Sequence, residues 1–290
     1  MLAVIAPANN EEATIGMCLH EVSASPGEQL DVASRSVTGA ADRPALTLGE
    51  ATCELAWRRW LAGLRCPELS ARDWLPAHAR LVVVAAHPDD EILSCGGLIA
   101  THVAQGGRVL IVAVTDGEAS HDGSPSFNRE DLAYVRRNER WLGLRLLGLS
   151  QPRVLALGLD DGHVQQQGTL LLERLMTLLQ PDDVVVSTWE NDGHPDHDTT
   201  GQMARRACTT IGCAYLGAPV WMWHWATPGD DRVPWPRLRG LPLSAADGLH
   251  KQAALAAHRS QLSPRNLDLG AVLGHAIVER AAWRTEYFFV

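Results

Sequence analysis

Leu81-Val82-Val83-Val84-Ala85-Ala86-His87-Pro88-Asp89-Asp90-Glu91 changes character at its midpoint, from six apolar residues to four ionisable side chains in five positions. An unbroken apolar run of this length suits a strand buried on both faces. The polar run leads directly into Glu91–Ala104, where apolar residues recur every three to four positions, as on a helix that covers a sheet. Working outward, Val109–Val114 repeats the apolar run, Val154–Leu157 is a shorter version, and Val184–Ser187 follows the turn residues Pro181, Asp182 and Asp183. Helical spacing fills the gaps at Glu130–Leu147, Thr169–Leu179 and Asp198–Ile211. Strands alternating with helices predict an α/β fold, a Rossmann-like, mostly parallel sheet with flanking helices.

Toward the C-terminus, Trp221, Trp223 and Trp225 alternate with Met222 and His224. That period of two predicts a further strand over Ala218–Trp225. Thr227–Pro242 has four prolines and is expected to be an irregular loop. Leu249–Gln261 has a helical pattern, and Tyr287–Val290 suits a short closing strand. Before residue 80, Ser23–Arg43 lacks periodicity and is expected to be flexible, while Ala51–Leu64 has the pattern of one helix. The expected organisation is an N-terminal extension over 1–79 and a main domain over 80–290. Val4–Ile15 resembles the opening of an inverting nucleotide-sugar glycosyltransferase, but no nucleotide-binding half or Asp-x-Asp metal site follows, so the likeness is read as incidental.

The 290 residues carry 25 basic and 34 acidic side chains, a net charge of −9, which argues against a nucleic-acid partner. No apolar run approaches the roughly 20 residues of a membrane-spanning helix. Met1–Ile5 has no basic residue before its apolar stretch, so a cytoplasmic protein is expected. Six cysteines form no Cys-x-x-Cys pair, which excludes a zinc ribbon or thioredoxin-like site and predicts reduced thiols. The sequence leaves the oligomeric state open.

A second polar run, Gly193-His194-Pro195-Asp196-His197-Asp198, follows the strand at Val184–Ser187 and also precedes a helix. Ligands of open α/β sheets bind beyond the carboxyl ends of the strands, where both runs fall. One Asp there could be a helix cap, and one His could be a packed interior residue. Two His/Asp clusters at two strand ends instead have the chemistry of a catalytic metal site, which combines imidazole nitrogen, carboxylate oxygen and an open position.

The two His-Pro-Asp runs, in this order, resemble the LmbE-like (PIG-L) N-deacetylases over about residues 80–290. Thr115-Asp116-Gly117-Glu118, Lys251-Gln252-Ala253 and His258-Arg259-Ser260-Gln261 add to the likeness. The resemblance implies a zinc-dependent hydrolase that removes an N-acetyl or other N-acyl group from an amino-sugar or glycoconjugate substrate. It further implies that His87, Asp90 and His197 hold the metal, with a zinc-bound water as nucleophile and Asp89 as general base. His194 would steady the oxyanion in protonated form, with Asp196 beside it as an orienting carboxylate. Arg136 and Glu118 are the candidate substrate contacts, although Arg136 could equally pair with Glu139 on a solvated helix face. His/Asp sites also accept iron(II), cobalt or manganese. Two rival readings are a zinc amidohydrolase acting on another acylated amine and a non-catalytic sugar-binding protein that keeps the metal. The Trp221, Trp223, Trp225 series reads more readily as core than as a sugar platform.

Overall fold

The structure is a computed structural model that describes residues 51–70, 74–123, 127–266 and 269–290. The segments Val4–Ile15 and Ser23–Arg43 lie outside the described residues.

Seven strands form one sheet: β1 (Arg80–Ala85), β2 (Arg108–Ala113), β3 (Val154–Ala156), β4 (Asp183–Thr188), β5 (Ala214–Ala218), β6 (Leu238–Pro242) and β7 (Thr285–Phe289). Their order is β3-β2-β1-β4-β5-β7-β6, with β1 to β5 parallel and β7 antiparallel to both β5 and β6. From β1 the chain winds outward through β2 and β3, then returns to the other side of β1 for β4 and β5. The order therefore reverses between β1 and β4, where a doubly wound sheet opens a crevice.

The apolar run of β1 is divided between two layers. Leu81 and Val83 join the core beneath α2 (Asp90–Ala104) and α3 (Arg129–Leu146). Val82 and Val84 join a second core with α4 (Gly168–Leu178) and α5 (Pro195–Ile211). Each face of the strand is thus apolar because each is covered.

A third cluster gathers Trp57, Trp189, Met222, Trp223 and Phe289. Trp57 lies on α1 (Glu54–Gly63), is fully buried and donates its indole N–H to the Trp223 carbonyl at 2.9 Å. Through this cluster α1 packs against Trp223 and, with it, Phe289 of β7.

Two expectations from the sequence are corrected. Ala218–Trp225 is not a strand: β5 ends at Ala218, and Met222–Trp225 is one turn of helix, α6. The Asp192 carboxylate accepts the backbone N–H groups of Val220, Trp221 and Met222 at 2.9, 3.0 and 2.8 Å, which fixes the turn and ends the strand. Thr227–Pro242 is not all loop, because a 3₁₀ turn at Trp235–Arg237 precedes β6. Burial of Leu238 and Leu241 outweighs the proline signal, and Pro242 stands at the end of its strand. The predicted helix Leu249–Gln261 is divided into α7 (Ala245–Ala256) and α8 (Arg259–Leu262), and α9 (His275–Ala281) precedes β7.

Trp57→Ala removes a fully buried indole and its hydrogen bond, with an expected loss of about 3–5 kcal/mol. The urea unfolding midpoint checks this, and an unchanged midpoint would show α1 to be dispensable to the body of the fold.

Candidate metal centre

β1 and β4 are direct neighbours, with Val84 beside Ser187, so the chain leaves both strands at the same edge of the sheet. From β1 it turns through His87–Asp89 into α2. The His87 N–H donates to Asp90 Oδ2 at 2.8 Å and closes this turn. Asp89 has φ 112°, the one positive value outside glycine among the described residues. Such a backbone costs about 1–3 kcal/mol and survives only where its surroundings impose it. Here the Asp89 carbonyl accepts Ile92 and Leu93 N–H at 2.9 and 2.8 Å. The Arg136 guanidinium donates to the Pro88 carbonyl at 2.6 Å, to Asp89 Oδ2 at 3.2 Å and to the Gly117 carbonyl at 2.7 Å. Gly117, at φ 68°, leaves the room Arg136 needs, since a Cβ there would overlap the guanidinium.

From β4 the chain enters α5 with Pro195 in its first turn and His194 as its cap, where His194 Nδ1 accepts the Asp196 N–H at 3.2 Å. Gly201 allows the helix backbone to press against the Thr188 carbonyl. Thr188 Oγ1 donates to the His197 carbonyl at 3.0 Å and fixes the first turn of α5 to the strand end.

These two turns bring His87 Nδ1, Asp90 Oδ2 and His197 Nε2 together at 3.2, 3.3 and 3.4 Å. A tetrahedral ion with bonds of about 2.0–2.1 Å separates its ligands by about 3.3–3.4 Å. The donor triangle therefore has the size a zinc-like ion requires. Its outer atoms are also held: His197 Nδ1 faces Asp192 at 2.8 Å, and His87 Nε2 faces Asp161 at 3.1 Å and Asp196 at 3.2 Å. Carboxylates in these positions fix the ring nitrogen that carries the proton and leave the inner nitrogens as acceptors.

The titration behaviour agrees with a site that attracts positive charge. Burial opposes a charged ring at His87, yet Asp161, Asp196 and Asp90 hold its pKa well above the usual value. Burial acts the same way at His197, but Asp90 and Asp192 outweigh it and push the ring up to about 9. A cation bound inside the triangle would replace those protons. Burial pushes Asp89 up to about 7, against the pull of Arg136 and with the help of Asp90 and Glu91. Burial, together with the charges on His197 and His87, pushes His194 down to about 3. With Nδ1 accepting the Asp196 N–H, the His194 ring presents Nε2–H as a donor.

A cavity of about 240 Å³ lies over the triangle, lined by His87, Asp89, Asp90, His194 and His197 among others. Arg136 borders it but is 2% exposed. Its terminal nitrogens are taken up by Gly117, Pro88 and Asp89, while Glu139 receives Ser260 N–H at 2.7 Å, so the two do not form a solvated pair. Glu118 accepts the Asp161 N–H at 2.9 Å and holds that loop. The Asp196 carboxylate takes the N–H groups of Gly162 and Val164 besides facing His87, so it is its backbone N–H that reaches His194.

Sequence reasoning missed Asp161 and Asp192. Asp161 had a signal, because Asp160-Asp161-Gly162 follows the third strand of the parallel set as the His-Pro-Asp runs follow theirs. Asp192 lies five residues before His197 and resembles an ordinary turn residue.

The PIG-L family, described as GlcNAc-PI de-N-acetylase, matches residues 82–208, a span that holds both His-Pro-Asp runs. A 1D-myo-inositol 2-acetamido-2-deoxy-alpha-D-glucopyranoside deacetylase of Mycolicibacterium vanbaalenii is 30% identical over 231 residues, covering 64% of this chain and 81% of that protein. The chain belongs to the PIG-L family. A probable N-acetyl-alpha-D-glucosaminyl L-malate deacetylase 2 of Bacillus anthracis is 29% identical over 136 residues, 45% of this chain and 60% of that one. In structure, the N,N'-diacetylchitobiose deacetylase of Pyrococcus horikoshii superposes with a TM-score of 0.50 over 67% of this chain and 74% of its own, at 21% identity. The Rossmann-like sheet expected from sequence is the LmbE-like fold of this PIG-L family.

Two outcomes follow for the site. Asp89→Gly should be about 1 kcal/mol more stable than Asp89→Ala, because glycine alone adopts the positive φ without strain; equal unfolding midpoints would remove the strain. Asp192→Asn should weaken divalent-cation binding about 10–100-fold, read by competition with a chromogenic chelator, and unchanged affinity would separate Asp192 from the metal ligands.

Proposed function

We propose that this PIG-L protein is a metal-dependent N-deacetylase of amino-sugar derivatives. The observation that carries the reading is the His87–Asp90–His197 triangle beside the Asp89 carboxylate, which Arg136 holds, and the His194 imidazole. The two relatives named above act on acetamido-glucose or N-acetyl-glucosaminyl compounds, and that shared chemistry supports an amino-sugar substrate.

In this reading His87 Nδ1, Asp90 Oδ2 and His197 Nε2 hold one divalent cation, with zinc favoured by the donor set. When bound, it would supply a Lewis acid that acidifies water and polarises the amide carbonyl. Asp89, raised toward neutrality by burial, takes the proton of the attacking water. Arg136 holds that carboxylate by its 3.2 Å contact and thereby fixes where the proton is received. His194 Nε2–H donates to the carbonyl oxygen as negative charge builds there, and a donor so placed is worth about 3–4 kcal/mol. As the C–N bond breaks, Asp89 returns its proton to the leaving nitrogen, which gives acetate and a free amine. Asp161, Asp192 and Asp196 orient the two ligand imidazoles and take no part in proton transfer.

Acetate release from methyl N-acetylglucosaminide, with and without a chelator, tests this function. Turnover that disappears with the chelator and returns with zinc is expected. Asp89→Ala should retain the metal and lose turnover by about 10²–10⁴-fold, whereas His197→Ala should lower metal content itself. Unaltered turnover in the first variant, or full metal content in the second, contradicts these roles.

A further inference from the structure

The three tryptophans that alternate in sequence separate in space. Trp223 is 5% exposed in the third core cluster, and Trp225 packs over Gly193 with Arg232 stacked 4.7 Å from its ring centroid. Trp221 instead reaches the reaction cavity. It is partly buried, packed against the core beneath α2 and also lining the cavity that holds Asp89 and His194.

Its position is built rather than incidental. The Trp221 backbone N–H donates to Asp192 Oδ2 at 3.0 Å, the same oxygen that faces His197 Nδ1 at 2.8 Å. One carboxylate therefore holds both the His197 imidazole and the backbone that carries the indole. The Trp221 and His194 rings are inclined by only 28° with centroids 6.5 Å apart, and His224 meets Trp221 edge-on at 5.8 Å. Leu93 and Leu273 also line this cavity, together with the polar side chains of Asp161, Ser120 and Gln261. A pyranose has matching faces: its C–H groups form an apolar side that lies on an aromatic ring, and its hydroxyls point to the rim. An acyclic acylated amine has no such face.

We propose that Trp221 is the platform on which the sugar ring lies, and that it selects a ring-borne N-acyl group over an acyclic one. The proposal rests on the deacetylase reading for its reaction, but sugar binding can be measured without turnover. Methyl glucosaminide, the amine product, is titrated calorimetrically into the metal-loaded wild type, Trp221→Ala and Trp221→Phe. The KM and kcat for methyl N-acetylglucosaminide and for N-acetylethanolamine are then compared in the same proteins.

Trp221→Ala should weaken product binding and raise KM for the sugar by about 10-fold or more, with kcat changed far less. Trp221→Phe should restore most of both, and KM for the acyclic amide should stay put. Equal losses on the two substrates, no recovery by phenylalanine, or no sugar binding by the wild type would overturn the proposal. Ring-dependent binding without acetate release would keep Trp221 as the platform and count against the deacetylase reading alone.

Discussion

Five parallel register pairs between β1 and β4, from Arg80 beside Asp183 to Val84 beside Ser187, set the separation between two chain segments more than a hundred residues apart. Because both strands run the same way, both end at one edge, and the turns that follow need only a few residues to face each other. His87 and Asp90 come from the first turn and His197 from the second, so a slip of this pairing would separate the donors. The covered faces guard against such a slip, since a one-residue shift would exchange the sides on which Leu81 and Val83 or Val82 and Val84 are buried.

The site concentrates negative charge that the fold alone does not balance. Asp89, Asp90, Asp161, Asp192 and Asp196 are all buried within reach of two imidazoles, with Arg136 as the permanent cation against them. Buried charge must be compensated, and protons on His87 and His197, or a cation in their place, would provide that compensation. The same arrangement divides labour among like groups. Asp90 is held ionised by two imidazoles, whereas burial raises its neighbour Asp89, whose backbone is strained.

Much of this was legible because its physical basis is local. Apolar runs at β1, β2 and β4 announced buried parallel strands, and charged residues crowded at two strand ends have few roles in packing. What escaped the sequence depended on distant partners. Nothing near Trp221 in the chain reveals that Asp192 gathers three consecutive N–H groups and converts an alternating aromatic stretch into a helical turn. Arg136 and Glu139 have the spacing of a surface pair, yet one reaches Asp89 and the other Ser260. The strand β6 was masked by prolines whose cost is met by pairing with β7, a partner more than forty residues later.

One cation held by two imidazoles and a carboxylate is what the proposed chemistry requires. Anomalous diffraction at the zinc edge, from crystals grown with one equivalent of zinc, tests that directly. It should place a single ion within about 2.0–2.2 Å of His87 Nδ1, Asp90 Oδ2 and His197 Nε2. An ion bound elsewhere, or a site that stays empty at one equivalent, would contradict it.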